Sequence, residues 1–270
     1  MSFKDLQLNK PLLRAIADAG YDNPTLVQER TIPLVLDKKD VITSAQTGTG
    51  KTAAFALPIL QLLFDKQDAP KKGKKIRALI VSPTRELAIQ IGENFKTYGK
   101  NTNLKSTVIF GGTSIEPQKD ILTKGVDILI ATPGRLLDLH KQDIINLDYV
   151  ETLVLDEADL ILDMGFIDDV KKIERLCPEE KQILLFSATM PAVIKKISKN
   201  YLNNPQHIKI ESKVSTASTI RQRYVQVAGH HKLEALTRIL EVEEFDGVIV
   251  FYGCFCCISV DVYTNVIDLF

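Results

Sequence analysis

The chain has 270 residues, of which 45% are hydrophobic, and its Lys plus Arg and Asp plus Glu counts are both 34. This length is typical of one large or two ordinary domains, and the apolar fraction is sufficient for a sizeable core. The formal net charge of zero excludes a basic field over the whole protein, so a polyanion would have to be bound by a local patch.

The sequence carries no signal for a membrane or an oxidising compartment. Its first twenty residues mix charges throughout and lack the apolar core of a signal peptide. The longest uncharged apolar stretch, residues 247–260, is shorter than the ~20 residues that a membrane-spanning helix needs. The four cysteines show neither a disulfide framework nor a zinc-site spacing. We therefore expect a cytoplasmic protein without a membrane partner.

Short runs rich in Val, Ile and Leu alternate with helical patterns over most of the chain. Six runs are predicted strands, at residues 39–45, 76–83, 106–112, 126–132, 151–157 and 181–188. Four stretches are predicted helices, at residues 51–64, 84–99, 133–141 and 166–177. Strands that are apolar on both faces suit a parallel sheet covered by helices on both sides. The order predicts a doubly wound α/β fold, whose ligands sit beyond the carboxyl ends of the strands.

The stretch SAQTGTGKTAAF, residues 44–55, follows the first predicted strand and opens a helix. Residues 45–52 match the phosphate-loop pattern G-x-x-x-x-G-K-[ST], with Ala45 in place of the first glycine. Gly48 and Gly50 would let backbone N–H groups turn towards an anion at the helix N-terminus. A glycine-rich turn that only caps a helix is the structural alternative.

The end of this loop carries the side chains that would contact a nucleotide. Lys51 would reach the β- and γ-phosphates of ATP, and the Thr52 hydroxyl would bind Mg²⁺. The other loop residues expected to line the phosphates are Gln46, Thr47 and Thr49.

A second motif lies at residues 151–166, where an apolar predicted strand is followed directly by three carboxylates. Mg²⁺ and Lys51 would supply the positive charge that these carboxylates face. Asp156 is expected to hold the hydrated Mg²⁺, and Glu157 to orient or deprotonate an attacking water. An acidic turn at a strand end is the alternative, above all for Asp159.

These motifs together resemble the DEAD-box ATP-dependent RNA helicases, nearest to the RhlE-like bacterial branch. The resemblance covers roughly residues 3–251. Six motifs appear in the order of that family: AQTGTGKT (45–52), PTRELA (83–88), GG (111–112), TPGR (132–135), DEAD (156–159) and SAT (187–189). The resemblance implies a RecA-like fold, ATP and Mg²⁺ as ligands and RNA as partner, with ribosomal or RNA-degradation machinery as further partners of the family.

Upstream, GYDNPTLVQ (20–28) resembles the adenine-recognition motif of the family. The Gln28 amide would both donate to and accept from the adenine edge, and Tyr21 would stack on the ring. Leu26 and Val27 replace the usual Pro and Ile, so adenine preference is less firmly indicated than ATP binding.

Several residues at strand ends are expected to follow an RNA backbone. Thr84 and Thr132 precede helices, and exposed helix N-termini with arginines suit phosphates. Capped helices and ordinary glycine turns are the alternative for each motif taken alone. The predicted RNA-binding set is Pro83, Thr84, Arg85, Gly111, Gly112, Thr132, Pro133, Gly134 and Arg135.

The SAT motif has the same ambiguity. Ser187 and Thr189 could cap the helix that follows them. In the family these hydroxyls are thought to link the ATP site to the RNA-binding surface, and we assign Asp159 to the same coupling group.

The sequence predicts a nucleotide-binding domain over residues 1–210, a linker over 211–219 and the start of a second RecA-like domain over 220–270. Residues 245–251 resemble the first strand of that second domain, but the stretch that follows matches nothing in the family. The last arginine is Arg238, and the tail has the character of a truncation, a shifted reading frame or an altered gene end. A second alternative is a tail that completes a small strand pair.

The leading hypothesis is therefore the ATP-binding half of an RNA-dependent ATPase, with slow hydrolysis and no strand separation by this chain alone. A non-catalytic module that binds nucleotide and RNA is the main alternative. A small-molecule phosphotransferase would need an acceptor site and an arginine-bearing lid, and the sequence offers neither.

Overall fold

A computed structural model describes residues 1–66, 75–210, 225–228, 231–242, 248–254 and 257–263. The chain divides into two compact units, Met1–Lys213 and Val214–Phe270. The predicted nucleotide-binding domain, residues 1–210, lies within the first unit. The predicted linker, residues 211–219, lies outside the described residues.

The first unit is built on a seven-stranded parallel sheet with the strand order β3-β4-β2-β5-β6-β1-β7. The six predicted strands are confirmed as β1 to β6, and β7 is an addition. The strands are β1 Val41–Ser44, β2 Ala78–Val81, β3 Ser106–Ile109, β4 Ile128–Ala131, β5 Thr152–Leu155, β6 Gln182–Ser187 and β7 Gln206–Lys209.

Nine α-helices are described in this unit, after a short 3-10 helix at Phe3–Leu6. They are α1 Lys10–Asp18, α2 Leu26–Leu36, α3 Lys51–Asp65, α4 Arg85–Gly99, α5 Glu116–Thr123, α6 Pro133–Lys141, α7 Ala158–Asp163, α8 Ile167–Leu176 and α9 Ala192–Tyr201. The four predicted helices correspond to α3, α4, α6 and α8, within one residue at each end. Among the helices that the structure describes, none has both the length and the apolar character needed to cross a bilayer.

Helices cover both faces of the sheet, as the apolar strands predicted. One core cluster joins the sheet to α1–α4, and a second joins its other face to α5–α9. Along β2 the alternation is direct, because Ile80 packs in the first cluster while Leu79 and Val81 pack in the second. All three side chains are fully buried. The doubly wound α/β fold is therefore confirmed.

The edge strand β7 gave no apolar signal because only Ile208 of its four residues is buried. Asp40 holds the neighbouring strands at their amino ends. Its Oδ1 accepts from the Ile183 N–H at 2.8 Å, and its Oδ2 accepts from the Asn203 N–H at 2.7 Å. A buried carboxylate thus satisfies two backbone donors beside β6 and β7.

The carboxyl ends of three strands lead directly into predicted motifs. Residues 45–52 follow β1, residues 156–159 follow β5, and residues 187–189 lie at the end of β6. All seven strands of this sheet are parallel, so these motifs lie together beyond the carboxyl ends of the strands. β6 lies between β1 and β5, which places the SAT motif between the phosphate loop and the acidic cluster.

In the second unit the structure describes one helix and one hairpin. Helix α10 spans Lys232–Val242, and the strands β8 Val248–Cys254 and β9 Cys257–Tyr263 pair antiparallel, with Val248 opposite Tyr263. This hairpin corresponds to the alternative in which the tail completes a small strand pair. The described part of this unit forms no parallel sheet.

Candidate functional site

The phosphate loop turns through two glycines with left-handed backbone. Gly48 has φ 84° and Gly50 has φ 91°, a region that residues with a Cβ rarely adopt. At Gly50 a Cβ atom would lie 2.4 Å from Gln28 Nε2, so a larger residue would displace that amide. Both glycines are therefore required by the loop, and Gly50 also by its neighbour on α2.

Ala45, which replaces the first glycine of the pattern, lies in a different environment. Its N–H donates to the Ser187 carbonyl at 3.1 Å and continues the pairing of β1 with β6. The side chain is buried, and φ is not positive. A small L-residue fits here, so the departure from the pattern leaves the loop intact.

Lys51 and Glu157 meet across the gap between the two motifs. Lys51 Nζ lies 3.0 Å from Glu157 Oε1, and Thr47 Oγ1 lies 3.5 Å from the same oxygen. The Lys51 side chain is only 6% exposed and that of Glu157 13%. The structure thus brings together the phosphate loop and the acidic strand end, as the sequence predicted.

Glu157 has an unusual backbone conformation, with φ 49° immediately before α7. Left-handed backbone is uncommon for residues other than glycine and tends to occur at functional sites. Here it turns the chain out of β5 while the Glu157 carboxylate stays beside Lys51.

Asp156 is buried and carries an oxygen without a partner. Among the described residues, nothing donates a hydrogen bond to its Oδ1. Burial, with the nearby Glu157 charge, raises the pKa of Asp156 to about 7, while Lys51 acts in the opposite direction. A partnerless carboxylate oxygen, together with the Thr52 hydroxyl, offers the hard oxygen donors that Mg²⁺ binds through one or two protein ligands. These residues fit a magnesium ion.

Asp159 is joined to both hydroxyl residues of the SAT motif. The Thr189 N–H and Oγ1 donate to Asp159 Oδ2 at 2.8 and 2.9 Å. The Asp159 N–H donates to Ser187 Oγ at 3.2 Å, and Ser187 Oγ donates to the Thr189 carbonyl at 2.7 Å. Burial alone would raise the pKa of Asp159, but the hydrogen bonds with Ser187 and Thr189 outweigh it and lower that pKa. The predicted coupling residues therefore form one cluster.

The two residues of the adenine motif have different surroundings. Gln28 is buried, its Oε1 accepts from the Thr25 N–H at 3.0 Å, and its Nε2 donates to the Gly50 carbonyl at 3.2 Å. Tyr21 is 47% exposed, and its ring centroid lies 6.2 Å from that of Tyr98. Gln28 is thus attached to the phosphate loop, and its contact with adenine stays a prediction.

Around α4 the predicted RNA-binding residues lie close together. Thr84 Oγ1 accepts from the Leu87 N–H at 3.3 Å and caps the helix. The Arg85 guanidinium lies over the Phe110 ring at 5.3 Å, and its Nη1 is 3.9 Å from where a Gly112 Cβ would sit. The side chain of Arg85 is half-exposed, and its Nε lies 3.7 Å from Glu86 Oε1, a loose surface ion pair that a phosphate could replace. Pro83, the residue before Thr84, is buried.

Arg135 binds a protein carbonyl from the N-terminus of α6. Its Nη2 donates to the Thr113 carbonyl at 2.9 Å. Its Nη1 is buried and has no partner among the described residues. Thr132 precedes the helix without a side-chain cap, Pro133 occupies its first position, and Gly134 faces open space. Arg135 therefore holds the backbone at Thr113 through Nη2, and its Nη1 can still donate a hydrogen bond.

Gln118 was missed by the sequence analysis although it holds the diglycine loop, residues 110–114. Its Oε1 accepts from the Phe110 N–H at 3.1 Å. Its Nε2 donates to the Phe110 carbonyl at 3.2 Å, to Thr113 Oγ1 at 3.2 Å and to the Ser114 carbonyl at 3.1 Å. An amide that closes a glycine turn four to eight residues upstream has no periodic signature, so only the glycines themselves indicated this loop.

Replacing Gln118 by glutamate is expected to loosen the diglycine loop. The carboxylate still accepts from the Phe110 N–H but loses the donor that serves three oxygens. We expect a loss of about 1–3 kcal/mol in unfolding free energy and faster amide hydrogen exchange over residues 110–114. The control is Gln206→Glu on the exposed strand β7, which makes the same change in charge outside this loop. Equal effects of the two substitutions would contradict this role.

Comparisons with known proteins agree with this geometry. The family model of the DEAD/DEAH box helicases matches residues 25–197, which hold all the clusters described above except Tyr21. The chain belongs to the DEAD/DEAH box helicase family. A DEAD box protein from Methanococcus jannaschii matches over 91% of this chain and 64% of its own, with 41% identity and a TM-score of 0.72. The sheet and its helices therefore form a RecA-like helicase fold.

Curated relatives of this chain carry the name ATP-dependent RNA helicase. The Limosilactobacillus reuteri protein named CshA is 43% identical over 93% of this chain and 49% of its own length. The Mycobacterium tuberculosis protein named DeaD is 46% identical over 93% of this chain and 43% of its own length. The chain thus spans about half the length of the curated relatives it matches.

Proposed function

We propose that this helicase chain is the ATP-binding and RNA-binding half of an RNA-dependent ATPase. Hydrolysis would serve the remodelling of RNA duplexes, as the names of its relatives suggest. The observation that carries the proposal is the pair Lys51–Glu157 at 3.0 Å beside the partnerless Asp156 oxygen. A positive and a negative group are thus held where a triphosphate and its metal ion would bind.

Lys51 and the phosphate loop would bind the triphosphate. Backbone N–H groups around Gly48 and Gly50 face the anion, and Lys51 exchanges its Glu157 partner for phosphate oxygens. Asp156 and Thr52 would hold Mg²⁺, which when bound neutralises charge on the phosphates. Tyr21 and Gln28 would select adenine.

Glu157 would then act on the attacking water. Once Lys51 binds phosphate, the Glu157 carboxylate is free to orient the water and to accept its proton as the oxygen attacks the γ-phosphorus. The bond to the β-phosphate oxygen breaks, and ADP leaves with inorganic phosphate. The burial of Lys51 and Asp156 strengthens the electrostatic contacts that these two groups make.

Three sites beyond the carboxyl ends of the strands would contact the RNA backbone. Arg85 offers accessible charge, Gly111 and Gly112 allow close approach, and Arg135 Nη1 is a buried donor without a described partner. Because these protein groups would contact phosphates and not bases, they would bind RNA independently of its sequence. Ser187 and Thr189 would transmit the nucleotide state through Asp159.

Finer assignments belong to the same proposal. We place the chain in the RhlE-like branch on its motifs, although the relatives above carry the names CshA and DeaD. Residues 220–270 would be the start of a second helicase domain with an atypical tail, and turnover by this chain alone would be slow. A cytoplasmic location and contact with ribosomal or RNA-degradation machinery follow from family likeness only.

A non-catalytic module that binds nucleotide and RNA is the second candidate. Phosphate release from ATP, measured with and without RNA, separates the two. The proposed ATPase gives a slow rate that RNA raises, and the module gives none. Titration calorimetry without heat on addition of Mg²⁺–ATP would contradict both candidates.

A further inference from the structure

A basic groove lies at the opposite end of β3 from the diglycine loop. Its volume is about 440 Å³, and it is lined by the end of α4, the start of β3 and the end of α5. Four lysines surround it, and apolar side chains such as Ile121 lie between them. The lysines are Lys96, Lys100, Lys105 and Lys124.

Most of this positive charge is not neutralised by the protein. Lys100 pairs with Asp18 at 2.7 Å. Within the described part of the chain, the other three lysines of the groove have no ion-pair partner. The carboxylate of Asp127 is close, but its Oδ2 accepts from the Lys105 backbone N–H at 2.9 Å. Among the described residues, the groove therefore carries three lysines without an ion-pair partner, although the net charge of the protein is zero.

The groove and the proposed RNA surface lie at opposite ends of the same short strand, β3. β3 is an edge strand, and the diglycine loop follows directly at its carboxyl end. Its four residues span about 13 Å, and α5 returns the chain to the groove over a similar length. An RNA strand that passes Gly112 can thus reach these lysines within a few nucleotides.

We propose that this basic groove is an auxiliary anchor for the phosphates of an RNA strand that extends beyond the strand-end loops. The proposal rests on RNA binding by this chain. Lysines on three different elements suit a flexible phosphate backbone, since each acts as a point charge without a fixed geometry. Phe95, the aromatic residue among those that line the groove, is fully buried and cannot stack on a base, so the anchor would be independent of sequence.

The test compares a short and a long RNA in the presence of Mg²⁺–ATP. Fluorescence anisotropy measures the affinity of the full chain for oligouridine of about six and about twenty nucleotides. The test variant is Lys96→Gln with Lys124→Gln. The control is Lys10→Gln with Lys141→Gln, two exposed helix lysines outside the groove with the same change in charge.

The double variant is expected to lose affinity for the long RNA only. One phosphate contact on single-stranded RNA changes the salt slope by about 0.7, so two lost contacts reduce it by about 1.4. At ~0.1 M salt this corresponds to a roughly 25-fold loss. The short RNA and the control variant should be unaffected.

Three results would overturn the anchor. These are an unchanged affinity for the long RNA, an equal loss for both lengths, or binding of an acidic Glu/Leu peptide that the double variant abolishes while RNA affinity is kept. The last result would assign the groove to a protein partner. Failure of the unmodified chain to bind either RNA would refute the proposed function as well, whereas the other outcomes leave that function standing.

Discussion

Replacing Glu157 by glutamine is expected to lower the rate of ATP hydrolysis by about 10²–10⁴-fold, the range for loss of a general base. The amide keeps the size of the side chain and the left-handed turn at residue 157, but it cannot accept a proton. It also cannot form an ion pair with Lys51, which lies 3.0 Å away, so Lys51 is held more weakly and remains available to phosphate. Affinity for ATP should therefore be kept while single-turnover phosphate release is lost.

The matched control for this substitution is Glu93→Gln, an exposed glutamate on α4 outside the nucleotide site. That variant should hydrolyse ATP at the rate of the unmodified chain. If Glu157→Gln leaves a measurable rate unchanged, Glu157 is not the residue that activates water. A parallel loss of ATP affinity would indicate instead that the Lys51–Glu157 pair supports the folded loop.

Replacing Asp156 by asparagine is expected to stabilise the ligand-free protein at alkaline pH and to weaken Mg²⁺–ATP binding. Burial raises the pKa of Asp156 from 3.8 to about 7, so the folded state binds one more proton than the unfolded state between these values. The stability contributed by this group therefore falls as pH rises through that window. A pKa difference of about three units corresponds to roughly 4 kcal/mol, which is the upper limit of the gain in unfolding free energy.

Urea unfolding at about pH 5 and about pH 8, without metal or nucleotide, measures this difference. Asp156→Asn should gain stability over the unmodified chain at both pH values, and the gain should be clearly larger at the higher pH. Asp159→Asn is the opposite control, because hydrogen bonds with Ser187 and Thr189 lower the pKa of Asp159 and its carboxylate is stabilising at neutral pH. Equal pH profiles for the Asp156 variant and the unmodified chain would contradict the prediction.

The sequence predicted the strands and the site because both depend on local patterns. Apolar runs such as residues 76–83 and 151–157 become buried parallel strands, since helices cover both faces. The phosphate loop and the DEAD motif each follow such a strand, so the shared edge of a parallel sheet brings them together. The Lys51–Glu157 contact was therefore foreseeable before any coordinates.

Features that depend on distant partners were not foreseeable. β7 is mostly exposed and is held in the sheet by pairing with β1. The residues of β7 have no apolar pattern that would predict this pairing. Gln118 acts on a loop through four hydrogen bonds that sequence spacing does not reveal. Gln28 was assigned to adenine, and its attachment to the Gly50 carbonyl depends on how α2 packs against α3.

The position of β6 between β1 and β5 also sets a distance. Two strand spacings separate the origins of the phosphate loop and the acidic cluster, a gap of about 10 Å. The long side chains of Lys51 and Glu157 reach across this separation to within 3.0 Å of each other. A ligand that breaks the pair therefore has to move only side chains, while the strand order keeps the two backbone segments at a fixed separation.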